Sequence, residues 1–174
     1  QFGENRPQTL IQKQAEITEP PCWHIIGALQ TNKLKYVVGK TVMIHSVDSE
    51  SLALAIDAES KKRGVVSEIL LEINIAGEDS KHGISPEDSE QLVRDVAKFS
   101  HIKIRGLMTV APYTEDAEEN RVYFRKMKQL MVDINSKNID NVYMDVLSMG
   151  MTGDYEIAVE EGATLVRVGT GIFG

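Results

Sequence analysis

Two short stretches carry the residue types from which a phosphate site can be built. The first, "SMGMTGD" (148–154), ends an apolar run and opens a helical one, with Ser148, Gly150, Thr152 and Gly153 in the turn. The second, "RVGTG" (167–171), sets Gly169, Thr170 and Gly171 directly after another apolar run. Hydroxyls and unpaired backbone N–H groups in such turns cradle a phosphate, because several donors converge on one small volume. Either stretch alone also reads as an ordinary turn, with glycines for geometry and Thr152 or Asp154 as a helix cap. Two of them ending neighbouring strands favour the phosphate site. Arg167 lies inside the second apolar run, and a buried guanidinium has to be paired or hydrogen-bonded. Two kinds of partner suit it equally: a helix acid such as Glu160 or Glu161, or an acceptor on a ligand.

Other candidates are weaker. His24, His45, His82 and His101 share no i, i+4 spacing and no motif with Asp or Glu, so they indicate no metal site and read as structural residues. Asn5 reads as the N-cap of a helix that begins at Arg6. Lys81 and His82 lie in "GEDSKHG", a loop after a long apolar run, where a lysine is ordinarily exposed. No nucleophile elbow, Ser–His–Asp order or carboxylate pair stands out. Cys22 is the single cysteine, which excludes a disulfide framework or thiolate zinc cluster and leaves a reducing, cytoplasmic setting as the expectation. The net charge of −7 argues against nucleic acid as a partner, since that needs a basic face. No apolar run reaches the ~18 residues of a membrane span, and the "QFGENRPQ" start lacks the charged-then-apolar pattern of a signal peptide.

Something must position these turns, and the rest of the chain supplies an alternation of short apolar runs with helical ones. Strands are expected at 23–27, 41–47, 68–76, 102–110, 142–150 and 164–169, with a short one at "QFGEN". Helices are expected at 49–62, 86–99, 116–137 and 153–161. Gly64 stops the first of these after a basic last turn. Ser85, Pro86 and Asp88 start the second. The alternation predicts one α/β domain over 1–174 built on a parallel sheet. It is either an open doubly wound sheet or a (β/α)8 TIM-type barrel. The only run near G-x-G-x-x-G, "GTGIFG", follows the last strand and leaves no room for a helix, so the barrel is preferred. Seven strands leave that barrel one short, and an N-terminal strand is expected to be missing from this chain.

Taken together, "FGEN" (2–5), "WHIIGALQTNK" (23–33), "HSVDS" (45–49), "LLEINIAGEDSKHGI" (70–84), "IRGLMTV" (104–110) and "LSMGMTGDYEIAVEEGATLVRVGTGIFG" (147–174) form an ordered set. In order and spacing they resemble the pyridoxal phosphate homeostasis protein family, related to the N-terminal barrel of alanine racemase. The resemblance implies a fold-type III barrel that binds pyridoxal 5′-phosphate (PLP) in the cytoplasm. It implies a carrier or buffer in vitamin B6 homeostasis, not an enzyme, expected as a monomer with PLP-requiring apoenzymes as possible partners. A PLP-dependent amino-acid racemase is the alternative, and a sugar-phosphate barrel enzyme is a third reading from the turns alone. Carried over by position, Ser148, Gly169 and Thr170 would hold the phosphate, with backbone N–H groups around Met149. Arg167 would face the pyridine nitrogen and keep it unprotonated, which makes the ring a poor electron sink. Asn5 would lie beside the cofactor, and Lys81 near it. The family's cofactor-bearing lysine belongs to a first strand and N-terminal helix upstream of "FGEN", so no catalytic lysine is assigned here. Ala28 stands where the family commonly shows histidine or proline.

Overall fold

The computed structural model describes residues 1–19 and 21–174. Seven parallel strands follow one another in strict chain order. They are β1 (Phe2–Glu4), β2 (Trp23–Ile25), β3 (Met43–Val47), β4 (Ser67–Glu72), β5 (Ile102–Met108), β6 (Val146–Met151) and β7 (Leu165–Arg167). Helices α1 (Pro7–Glu16), α2 (Glu50–Arg63), α3 (Pro86–Val96), α4 (Arg121–Ser136) and α5 (Tyr155–Glu160) return the chain between strands. A 3-10 turn, Thr31–Tyr36, does this between β2 and β3, and another, Ala117–Asn120, leads into α4. Unreversed order is the mark of a barrel, since a doubly wound sheet changes direction at a switch point. The result is a nearly closed barrel wrapped by helices, as expected.

The helix boundaries follow their end signals. Ser85 Oγ accepts from Asp88 N at the start of α3, and Ser49 Oγ does the same from Leu52 N for α2. Gly64 ends α2 in the left-handed region at φ 66°, where a side chain would be strained. Two expectations shift. The strand expected at 142–150 begins only at Val146, because Asn138 and Asn141 adopt positive φ and Val142 N turns back to Ile139 O. After β7 there is room for one more turn: α6 (Thr170–Phe173) follows directly.

The two faces of the sheet differ in chemistry. Outside, one large cluster including Leu10, Ile25, Ile56, Leu71, Val93, Leu107, Phe124, Met127 and Leu147 packs sheet against helices. Inside, a separate small layer of Met43, Leu70 and Met108, with Val146 against it, fills part of the barrel. Above that layer the interior is polar: His24, His45, Glu72, Ser148 and Arg167 are all buried. Polar groups survive there only because most are hydrogen-bonded to one another.

Candidate functional site at the carboxyl ends of the strands

Arg167 is the last residue of β7 and only 9% exposed. Its guanidinium donates to Ser148 Oγ at 2.5 Å and to the Thr109 carbonyl at 2.7 Å. Glu160 and Glu161, the acids that could have paired with it, are taken by Arg121 and Arg125 on α4. No carboxylate hydrogen-bonds Arg167 among the described residues. Burial therefore lowers its pKa to about 10, with Glu72 and Asp154 pulling the other way from a distance. A buried cation held only by neutral acceptors, at the strand ends of a barrel, retains donors for an incoming group.

The two glycine turns meet beside it. Thr152 Oγ1 accepts from Gly171 N at 3.2 Å and lies 3.2 Å from Thr170 Oγ1. A side chain at Gly171 would come within 2.9 Å of Thr152 Cγ2, so glycine permits this approach. Among the described residues the N–H groups of Thr152, Gly153, Gly169 and Thr170 have no acceptor. A Cβ built at Gly153 or Gly169 meets nothing, so both glycines border open space. Gly150 has a structural role: at φ 91°, its missing Cβ makes way for Ala158 on α5. Asp154 accepts from Met151 N at 2.7 Å and from the Asn120 amide at 2.9 Å, and so holds the turn's shape.

The other expected residues are spread more widely. Ser148 is fully buried, its hydroxyl shared between Arg167 and His45, while Thr152, just after β6, supplies the hydroxyl that reaches the Gly169–Thr170 turn. Met149 points its side chain into the outer core. Asn5 is exposed and caps nothing; Arg6 is the N-cap of α1, with Pro7 at the first turn. Lys81 Nζ donates to the Ala111 carbonyl at 2.8 Å and pairs with Glu78 at 2.7 Å, fastening the loop after β4 to the loop after β5.

Glu72 went unread in the sequence, and His45, read there as structural, has contacts that its spacing did not reveal. Glu72, last in β4, is 8% exposed and its pKa is raised to about 7. Burial is the main cause and Asp48 adds to it, opposed by His82 and Arg167. His45 Nδ1 lies 3.0 Å from Ser148 Oγ, and its Nε2 lies 2.9 Å from His24 Nδ1. Burial, then His24 and Arg167, lowers the His45 pKa to about 3. Burial also lowers that of His24.

The family model for the N-terminal domain of alanine racemase matches residues 1–174. The pyridoxal phosphate homeostasis protein of Aquifex aeolicus is 43% identical over 99% of this chain and 75% of its own length. That of Pseudomonas aeruginosa is 37% identical over 99% and 73%. The chain belongs to the pyridoxal phosphate homeostasis protein family. The solved structure of PipY from Synechococcus elongatus without PLP superposes with TM-score 0.92 at 36% identity, covering 99% of this chain and 81% of PipY. PipY with PLP bound superposes at TM-score 0.89 and the same identity and coverage. Alanine racemase of Clostridium difficile shares the fold at TM-score 0.82 and 15% identity, over 99% of this chain and 44% of the racemase. No helix among the described residues is long and apolar enough to cross a membrane.

Proposed function

We propose that this chain binds pyridoxal 5′-phosphate at the carboxyl ends of its strands and serves as a PLP carrier or buffer without robust catalysis. The observation that carries the proposal is Arg167: a buried guanidinium hydrogen-bonded, among the described residues, only to Ser148 and Thr109, beside two turns with N–H groups that have no acceptor there. The residues fit the group. A dianionic phosphate suits the N–H groups of Thr152, Gly153, Gly169 and Thr170, together with the hydroxyls of Thr152 and Thr170. A pyridine nitrogen is a neutral acceptor and suits a remaining N–H of Arg167. When bound, PLP supplies an electron-accepting ring, and an arginine at its nitrogen weakens that capacity by leaving the nitrogen unprotonated.

The residues of this chain bind and orient. Arg167 is fixed in plane by Ser148 and Thr109, so its free edge has one direction. Lys81 joins two loops of the mouth and shapes its wall, while Ser148 acts on the ligand through Arg167. The name borne by the relatives supports the homeostasis role, and PipY, at 36% identity, is known with PLP bound. Equilibrium dialysis tests the reading: saturable binding of about one PLP per chain, competed by inorganic phosphate, is expected. Tight binding of a sugar phosphate without affinity for PLP would overturn it. Interconversion of alanine enantiomers at enzyme-like rates would overturn the carrier role.

A further inference from the structure

We infer that His45 and His24 are positioning residues for Arg167, joined to it by a one-way hydrogen-bond relay in which both imidazoles are neutral Nε2–H tautomers. The effect on PLP rests on the proposed function; the proton order rests on geometry alone. Arginine has only donors, so Ser148 Oγ must accept from Arg167 across their 2.5 Å contact. Ser148 is fully buried, and among the described residues its hydroxyl has two partners, Arg167 and His45. Its one proton therefore goes to His45 Nδ1, 3.0 Å away. An imidazole with a bare Nδ1 carries its proton on Nε2, which here donates to His24 Nδ1 at 2.9 Å. His24 Nδ1 is then an acceptor, and its own proton sits on Nε2. That last N–H is buried and has no partner among the described residues.

The reverse order fails at its first step. A proton on His45 Nδ1 would leave the hydrogen of the fully buried Ser148 hydroxyl with no acceptor and the bare His24 Nε2 with no donor, two unmade buried hydrogen bonds where the first order leaves one. A cationic His45 would face Arg167 as well, and burial already disfavours it. The relay joins β2, β3, β6 and β7, and β3 and β6 are not neighbours in the sheet. Only side chains crossing the interior can connect them. By accepting from Ser148, His45 fixes the rotation of that hydroxyl, and the hydroxyl in turn holds one arm of the guanidinium.

Side-chain nitrogen NMR of 15N-labelled protein tests the proton order without a ligand, with signals assigned from His24→Gln and His45→Gln spectra. The expected result is the Nε2–H tautomer for both residues, with His45 unprotonated from pH 5 to 8. An Nδ1–H tautomer at His45, or titration in that range, would overturn the relay. For positioning, separate and sharp Nη signals of Arg167 are expected in the parent and in His45→Asn, whose Oδ1 still accepts from Ser148. Averaged signals are expected in His45→Phe. The same Phe variant should bind PLP about tenfold more weakly, the size expected for one lost hydrogen bond to a charged group, and the Asn variant should rescue most of that loss. Unchanged Arg167 signals in His45→Phe would refute the positioning role. Relay and Arg167 signals as expected, with no PLP binding by the parent, would uphold this inference and refute the proposed function.

Discussion

Arg105 and Arg167 lie on strands of the same sheet in opposite electrostatic surroundings. Arg105 donates twice to Asp145, at 2.9 and 2.7 Å, and once to Glu68 at 2.7 Å. Those hydrogen bonds push its pKa up. Arg167 has a hydroxyl and a carbonyl instead, and burial brings its pKa down. Asp145 immediately precedes β6 and Glu68 is the second residue of β4, so the satisfied arginine sits toward the amino ends of the strands. The unsatisfied one sits at the carboxyl ends. One cation is used up in holding the barrel together, while the other is left with capacity for a ligand. In a barrel that asymmetry is what the proposed ligand site at the carboxyl ends requires.

The sharpest break of this comparison is to remove each arginine in turn. Arg167→Met should weaken PLP binding on the order of 100-fold, the upper end expected for a hydrogen bond to a charged group. Arg105→Met should leave binding within about twofold, because it touches none of the strand-end groups. It should instead lower the melting temperature by about 2–4 °C, the shift ~1 kcal/mol produces in a chain of this size. Dialysis and thermal melts on both variants check the pair, and equal binding losses would erase the distinction. A smaller effect is expected from Thr152→Val, which removes the hydroxyl that joins the two turns: about tenfold weaker binding, with the melting temperature little changed.

The smallest effects concern pH. The Glu72 carboxyl holds its proton up to about pH 7 in the folded chain, against ~4.3 when unfolded. Between those values the folded state binds more protons, so stability falls as pH rises through that window. Glu72→Gln should therefore raise the melting temperature relative to the parent at pH 8 more than at pH 4.5. Equal shifts at both would contradict the burial argument. His45 works in the other direction: its folded pKa of about 3 lies below the unfolded ~6.5. Stability is lost as pH falls from about 6.5 toward 3, and His45→Phe should flatten that limb.

The strands and their order were legible because each is a short β-branched or apolar run bounded by turn residues, and a helix separates most pairs. Ser85 and Gly64 announced helix ends through local chemistry, so nothing distant was needed to read them. Arg167 was legible as a problem but not as a solution. Its partners, Ser148 and Thr109, lie 19 and 58 residues away, and two equally plausible acids stood closer in sequence. The histidine relay was illegible for the same reason: His45 and Ser148 are 103 residues apart and meet only when the sheet curls. Asn5 had a local reading as a cap, but α1 starts one residue later, with Arg6 at the N-cap and Pro7 in the first turn.

A crystal structure of this chain grown with PLP would show whether Arg167 and the two glycine turns receive the ligand. The pyridine nitrogen is expected against Arg167 and the phosphate among the N–H groups of Thr152, Gly153, Gly169 and Thr170. PLP bound elsewhere on the surface, with Arg167 still held by Ser148 and Thr109 alone, would contradict that placement.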